Sequence, residues 1–206
     1  MKMLKKGLSK SSTLISVDKL IGGYLAIQVA LSHPTAIRAV IATYPMIDLR
    51  DPFYCRDYSK NIAHQPQYGM EIIDNHIETL PHGNHPSTRN IISSTDALAY
   101  TIIQRGRFVE FLGDDRRLFP LDRLEDDAQL ANEFPYLWLQ HGTADTGVPI
   151  GGSRKFVSKL KILNPQIAVR YSELEGMDHG LPSEVYLIKS GEWSGGIKIV
   201  NEILNR

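Results

Sequence analysis

Two side chains stand where they could move a proton between them. Asp145 lies in His141-Gly-Thr-Ala-Asp145-Thr-Gly-Val-Pro149, directly after the apolar run Tyr136 to Gln140. His179 lies in Glu175-Gly-Met-Asp-His179-Gly-Leu181, directly after the alternating run Ile167 to Leu174. Both runs read as strands, and in an open parallel sheet the loops leaving the carboxyl ends of strands are where ligands gather. A carboxylate and an imidazole delivered to that edge can work as a pair. The carboxylate fixes the tautomer, and the far ring nitrogen takes a proton from a nucleophile. Taken singly, Asp145 is an ordinary turn residue ahead of the next helix, and His179 is a loop histidine between Gly176 and Gly180. Their order, each just after a strand, favours the pair.

The remaining titratable residues have weaker settings. His33, His64, His76, His82, His85 and His141 carry no comparable context. His82 and His85 sit in a glycine and proline turn without cysteine or carboxylate at ligand spacing, so neither a metal nor a cofactor is expected.

The elements that must position the pair are α/β in pattern. Leu20-Ile-Gly-Gly-Tyr-Leu-Ala-Ile-Gln-Val-Ala-Leu-Ser-His-Pro34 is a helix with Tyr24, Leu25, Ile27, Val29, Ala30 and Leu31 spread over every face, which predicts burial on several sides. Pro34 ends it, and His33 suits its last turn. Ala39 to Tyr44 is a β-branched apolar run, a buried parallel strand, and Leu14, Ile15 and Val17 make a short strand ahead of the helix. Strand, buried helix and strand form a βαβ crossover. Ser153 to Leu163 reads as an amphipathic helix with Phe156, Val157, Leu160 and Leu163 on one face, and Gly196 to Leu204 as a closing helix over the sheet. Between them, turn-rich segments at 50–57 and 79–87 alternate with helical candidates Gly69 to Ile77, Ser94 to Gln104, capped by Thr95 and Asp96, and Leu121 to Leu130.

Gly22-Gly23-Tyr24-Leu25-Ala26, the following helix, His33-Pro34 and the next strand resemble the segment after the nucleophile in the α/β-hydrolase family, in its esterase and lipase branch. His-Gly-x-x-Asp-x-x-Val-Pro is similar to the family's acid segment, with Asp145 as the match, and the loop at His179 resembles the family's histidine loop. The order of elbow, aspartate and histidine is the family's. The resemblance implies a partial α/β-hydrolase-type, mostly parallel sheet with helices on both faces and a lid-like helical insertion at about 50–133. It also implies a small-molecule carboxylic ester as substrate. The family motif Gly-x-Ser-x-Gly is disrupted: with Gly22 on its last glycine, Leu20 falls where the serine belongs and Asp18 where the first glycine belongs. Leucine has no nucleophilic atom, and loss of a triad nucleophile costs on the order of a million-fold in rate. Ser11, Ser12, Ser16 and Ser32 lack the small-residue context of an elbow, and Cys55 follows the wrong strand. The family's earlier strands and glycine-rich oxyanion loop have no counterpart, so the resemblance covers the carboxy-terminal part only, from about residue 14.

Composition bounds the rest. With 206 residues, 42% of them apolar, the chain supports one core and one domain, here 14–206, behind a polar lead-in at 1–13. The lead-in starts like a signal peptide but develops no apolar region or cleavage site. Lys+Arg 23 balances Asp+Glu 23, so nothing points to nucleic acid, and no apolar stretch is long enough to span a membrane. The lone Cys55 excludes an internal disulfide framework and fits a reducing, cytoplasmic setting. A half sheet exposes a strand edge through which a homo-oligomer could form. Three readings follow: an esterase-type hydrolase inactivated or impaired at its nucleophile, a non-catalytic binding module, or an incomplete fragment of a hydrolase.

Overall fold

The computed structural model describes residues 13–16, 21–79, 92–180 and 202. Residues 1–12 of the expected lead-in, the aligned nucleophile position Leu20, the His82/His85 turn and nearly all of the expected closing helix lie outside the described residues, while Thr13, expected in the lead-in, opens a strand.

Four strands, β1 (Thr13–Ser16), β2 (Ile37–Thr43), β3 (Tyr136–Gly142) and β4 (Val169–Leu174), lie side by side in chain order, every neighbouring pair parallel. Between β1 and β2 runs α1 (Ile21–Ser32), and between β3 and β4 runs α8 (Ile150–Leu163). Since spatial order follows chain order, right-handed crossovers place both helices on one face of the sheet. The side chains agree. Val40 and Ala42 of β2 sit beside Leu137 and Leu139 of β3, and they share one core with Ala26, Ile27 and Ala30 of α1 and Phe156, Val157 and Leu160 of α8. Each fully buried Val, Leu or Ile there contributes roughly 1.5 to 3 kcal/mol. Ile41, beside Trp138, points to the other face.

Two expectations for α1 need correction. Leu25 and Val29 are not buried: with Ile21 they form a stripe 39 to 53% exposed along the helix. The reason is its place in the sheet. Among the described strands β1 is at the edge, so α1 packs inward on β2 and sideways on the 116–126 region, while Ile21, Leu25 and Val29 stay exposed. His33 falls one residue beyond the helix, although its N–H still bonds Val29 O at 2.8 Å.

The segment between β2 and β3 holds α2 (Pro52–Cys55), α3 (Glu71–Thr79), α4 (Ile92–Gln104), α5 (Phe108–Leu112), a 3-10 turn at Arg116–Leu118, α6 (Pro120–Asp126) and α7 (Gln129–Glu133). Asp51 caps α2 by accepting Phe53 N–H, with Pro52 at the first helical position. α4 starts before Thr95, so Thr95 and Asp96 stand inside the helix rather than at its cap. The single helix expected over Leu121 to Leu130 is broken in two, because the Asp127 carboxylate accepts Gln129 N–H in a local turn that competes with the helix. The segment divides in its packing. Leu124, Ala131 and Phe134 join the main core, whereas Leu49, Tyr54, Ile62, Ile103 and Phe119 build a second cluster with Tyr24, Met46 and Val148. Met46 follows β2 and Val148 follows β3, so this cluster lies at the carboxyl end of the sheet.

Lys60 holds that second layer together. It is 3% exposed, and its ammonium donates to the carbonyls of Arg56, Ile103 (2.7 Å) and Gln104 (2.9 Å), the last two at the carboxyl end of α4. Burial lowers its pKa. Lys60→Met keeps the stem and removes the donors, so it should lower stability by about 2 kcal/mol. An unchanged urea midpoint would show that the carbonyls find other partners.

Candidate active site

β3 and β4 end side by side, with Gly142 opposite Leu174, and the loops that follow are cross-bonded. Thr143 N–H donates to Leu174 O, Ala144 N–H to Met177 O, and Gly176 N–H to Thr143 Oγ1. A Cβ on Gly142 would lie 2.1 Å from Met177 O, so only glycine lets the loops approach this closely.

The structure brings Asp145 and His179 together. His179 Nδ1 lies 2.8 Å from Asp145 Oδ1, and the same oxygen accepts Gly147 N–H at 2.8 Å and Val148 N–H at 2.7 Å. The Asp145 side chain is only 1% exposed and that of His179 12%. Burial alone would raise the Asp145 carboxyl, but the facing His141 and His179 rings and Val148 N–H outweigh it and hold the group at about 2. A carboxylate ionised at neutral pH thus faces Nδ1, which leaves Nε2 as the proton-accepting nitrogen.

His141 belongs to the site, although its sequence context gave it no role. Fully buried at the end of β3, it places Nδ1 2.8 Å from Ser153 Oγ and Nε2 3.0 Å from Val148 O. Asp145 Oδ2 is 3.4 Å from the same Nε2 and takes no hydrogen bond from it, so that contact is electrostatic. The signal was the opening residue of His-Gly-x-x-Asp, four positions before the acid. Asp178 and Thr146 were also missed. Asp178 Oδ1 accepts Thr146 N–H, Thr146 Oγ1–H and His179 N–H.

Tyr44 closes the other side. Its ring centroid is 4.8 Å from that of His179, and its backbone is left-handed, φ 39°, directly after β2. Strain of this kind on a residue other than glycine concentrates at functional sites. Of the nucleophiles weighed as substitutes, Ser16 ends β1, Ser32 ends α1, and Cys55 ends α2 with a thiol pushed up by burial, the reverse of activation.

Gly147 lies against the imidazole itself. A Cβ there would lie 2.3 Å from His179 Cγ. Gly147→Ala should therefore displace the imidazole and break its bond to Asp145, while changing stability by no more than about 1 to 3 kcal/mol. An unshifted His179 ring signal in the NMR spectrum of the variant would contradict this.

No family model matches the chain, and no curated protein does. Solved structures do. A Staphylococcus aureus protein of unknown function shares the fold with a TM-score of 0.59 at 17% identity, over 89% of this chain and 62% of its own. The fold is a partial α/β-hydrolase fold. Also similar are a Paleococcus ferrophilus monoacylglycerol lipase (TM-score 0.40, 18% identity, 84% of this chain and 64% of its own) and a Pyrococcus furiosus esterase (TM-score 0.44, 17% identity, 96% and 54%). The chain spans less than two thirds of these three solved chains. The parallel order β1 to β4 puts the loops that carry Asp145 and His179 on adjacent strands. Among the described residues, no helix is long and apolar enough to cross a membrane, and no group of three His, Cys, Asp or Glu could hold a metal ion.

Proposed function

We propose that this chain is a hydrolase-type protein directed at carboxylic esters, with the acid–base half of a serine-hydrolase site retained and the serine absent. The bond between Asp145 Oδ1 and His179 Nδ1, at 2.8 Å and almost out of solvent, carries this reading. With Nδ1 committed to the carboxylate, His179 Nε2 is the base. In a serine hydrolase it would take the serine proton; here Leu20 occupies the aligned position, and water is the remaining nucleophile. Nε2 takes the proton as the water oxygen bonds to the ester carbonyl carbon, then returns it to the departing alkoxide as the acyl–oxygen bond breaks. The second hydrophobic layer over the carboxyl ends of β2 and β3 acts as a cap on the substrate side, which supports a small ester rather than a polymer.

Such a reaction is slow but depends on histidine. Wild type should hydrolyse p-nitrophenyl acetate at least about tenfold faster than His179→Ala, below the full range of general-base catalysis because no covalent step assists it. Equal rates, with equal thermal melts, would remove the hydrolase reading and leave ligand binding as the function of the site.

A further inference from the structure

The Asp178 carboxylate joins three separate stretches of chain. Through Oδ1 it accepts Thr146 N–H (2.8 Å) and Thr146 Oγ1–H (2.7 Å) from the acid loop, and His179 N–H (2.6 Å) from its own loop. Through Oδ2 it meets His64 Nε2 at 2.6 Å, across 114 positions of sequence. His64 comes from the segment inserted between β2 and β3, and its side chain is 69% exposed whereas that of Asp178 is 22% exposed. Neither group is used by the proton transfer proposed above.

The backbone at His64 is unusual. Ala63 (φ 46°) and His64 (φ 58°) are consecutive left-handed residues, neither of them glycine. Such a conformation persists only where surrounding contacts hold it. The contact that holds His64 runs from its Nε2 to a carboxylate whose pKa burial would raise but whose four hydrogen-bond partners keep it well below the ordinary range. Among the described residues, the imidazole–carboxylate contacts at this spot are His64 with Asp178 and, behind it, His179 and His141 with Asp145.

We infer that His64 and Asp178 are positioning residues for His179: the inserted segment grips the histidine loop through His64, and Asp178 relays that grip to the backbone of His179 and to the acid loop. The inference rests on the reading of Asp145 and His179 as an acid–base pair. Its consequence is that movement of the insertion, as on entry of a ligand beneath it, alters the alignment of His179.

The test is NMR of the isotopically labelled protein, following the Nδ1 proton that His179 shares with Asp145, in wild type, His64→Ala, Asp178→Ala and Asp178→Asn, with a thermal melt on each. His64→Ala and Asp178→Ala should speed exchange of that proton with water by about tenfold, the factor one hydrogen bond of ordinary strength is worth. Asp178→Asn keeps an Oδ1 acceptor for Thr146 and His179 and offers an NH2 donor that His64 Nε2 can accept from in its other tautomer, so it should stay within about twofold of wild type. Unchanged exchange in His64→Ala or in Asp178→Ala would overturn the inference. His64 is exposed enough for its variant to fold even where Asp178→Ala does not. Absence of the proton in wild type would instead overturn the acid–base pair itself, and this inference with it.

Discussion

Asp145→Asn should lower the stability of the protein by about 3 kcal/mol at neutral pH and abolish histidine-dependent ester hydrolysis. The carboxylate is buried, and one of its oxygens accepts two backbone N–H groups and faces His179 Nδ1, while the other faces His141. Asparagine can keep one acceptor oxygen for Gly147 and Val148. Its NH2 group then takes the place of Oδ2 and points at His141 Nε2, which already faces Val148 O, and a buried donor or acceptor without a partner costs about 1 to 3 kcal/mol. The loss of charge adds to this, because the site is organised to hold an anion. The loss of charge is also what stops catalysis: the imidazolium that forms when His179 Nε2 takes a proton no longer has a carboxylate at Nδ1 to stabilise it.

The same residue sets an acid limit. Its carboxyl is held at about 2, against 3.8 for an ordinary aspartate, a difference worth roughly 2 to 3 kcal/mol. Because the folded value is the lower one, this stabilisation is complete above the unfolded value, near pH 4. It is lost as the pH falls from there through about 2. Urea midpoints of wild type and Asp145→Asn should therefore lie far apart at about pH 6 and draw closer as the pH approaches about 2. A constant gap across that range would mean that the charge of Asp145 does not stabilise the fold.

Why the pair was legible while its surroundings were not is a matter of range. Asp145 and His179 each follow a strand by a few residues, so local pattern places them and parallel pairing of β3 with β4 does the rest. His141 stands at the end of the same strand, but nothing local says that its ring turns inward to meet Ser153 and Val148 O. The Asp178 tie to Thr146 and His64 depends on loops meeting across 32 and 114 positions, which no periodicity encodes. Lys60 is a similar case, a lysine whose burial depends on the end of a helix more than 40 positions later. The exposed stripe Ile21, Leu25 and Val29 is different. The composition of α1 was read correctly as apolar all round, but burial of that face requires neighbours beyond the edge strand β1. The break between α6 and α7 was within reach of sequence reasoning, since Asp127 followed by Ala128 and Gln129 is a turn former inside an otherwise helical pattern.

Leu20→Ser should raise ester hydrolysis by about a thousandfold, and the gain should vanish in Leu20→Ser/His179→Ala. Residue 20 immediately precedes α1 in the sequence, and α1 lies between β1 and β2, the place where the α/β-hydrolase fold carries its nucleophile ahead of a helix. A serine there would gain the base that the chain already holds in place. Full restoration of a triad is worth on the order of a million-fold, but that figure assumes a complete oxyanion hole. One donor is on hand: the N–H of Ile21, first in α1 and thus without a partner inside the helix. The glycine-rich loop that would supply the second has no counterpart in the sequence, and each missing donor costs roughly a hundredfold to a thousandfold. The expected gain is therefore the full effect less one donor. A burst of p-nitrophenol equal to the enzyme concentration would show the acyl-serine directly. No gain in a variant whose melt matches wild type would mean that residue 20 does not face His179, and the nucleophile position inferred from Gly22 would have to be abandoned. A gain that survives His179→Ala would mean that the new serine works without the imidazole, and the assignment of His179 as base would fail.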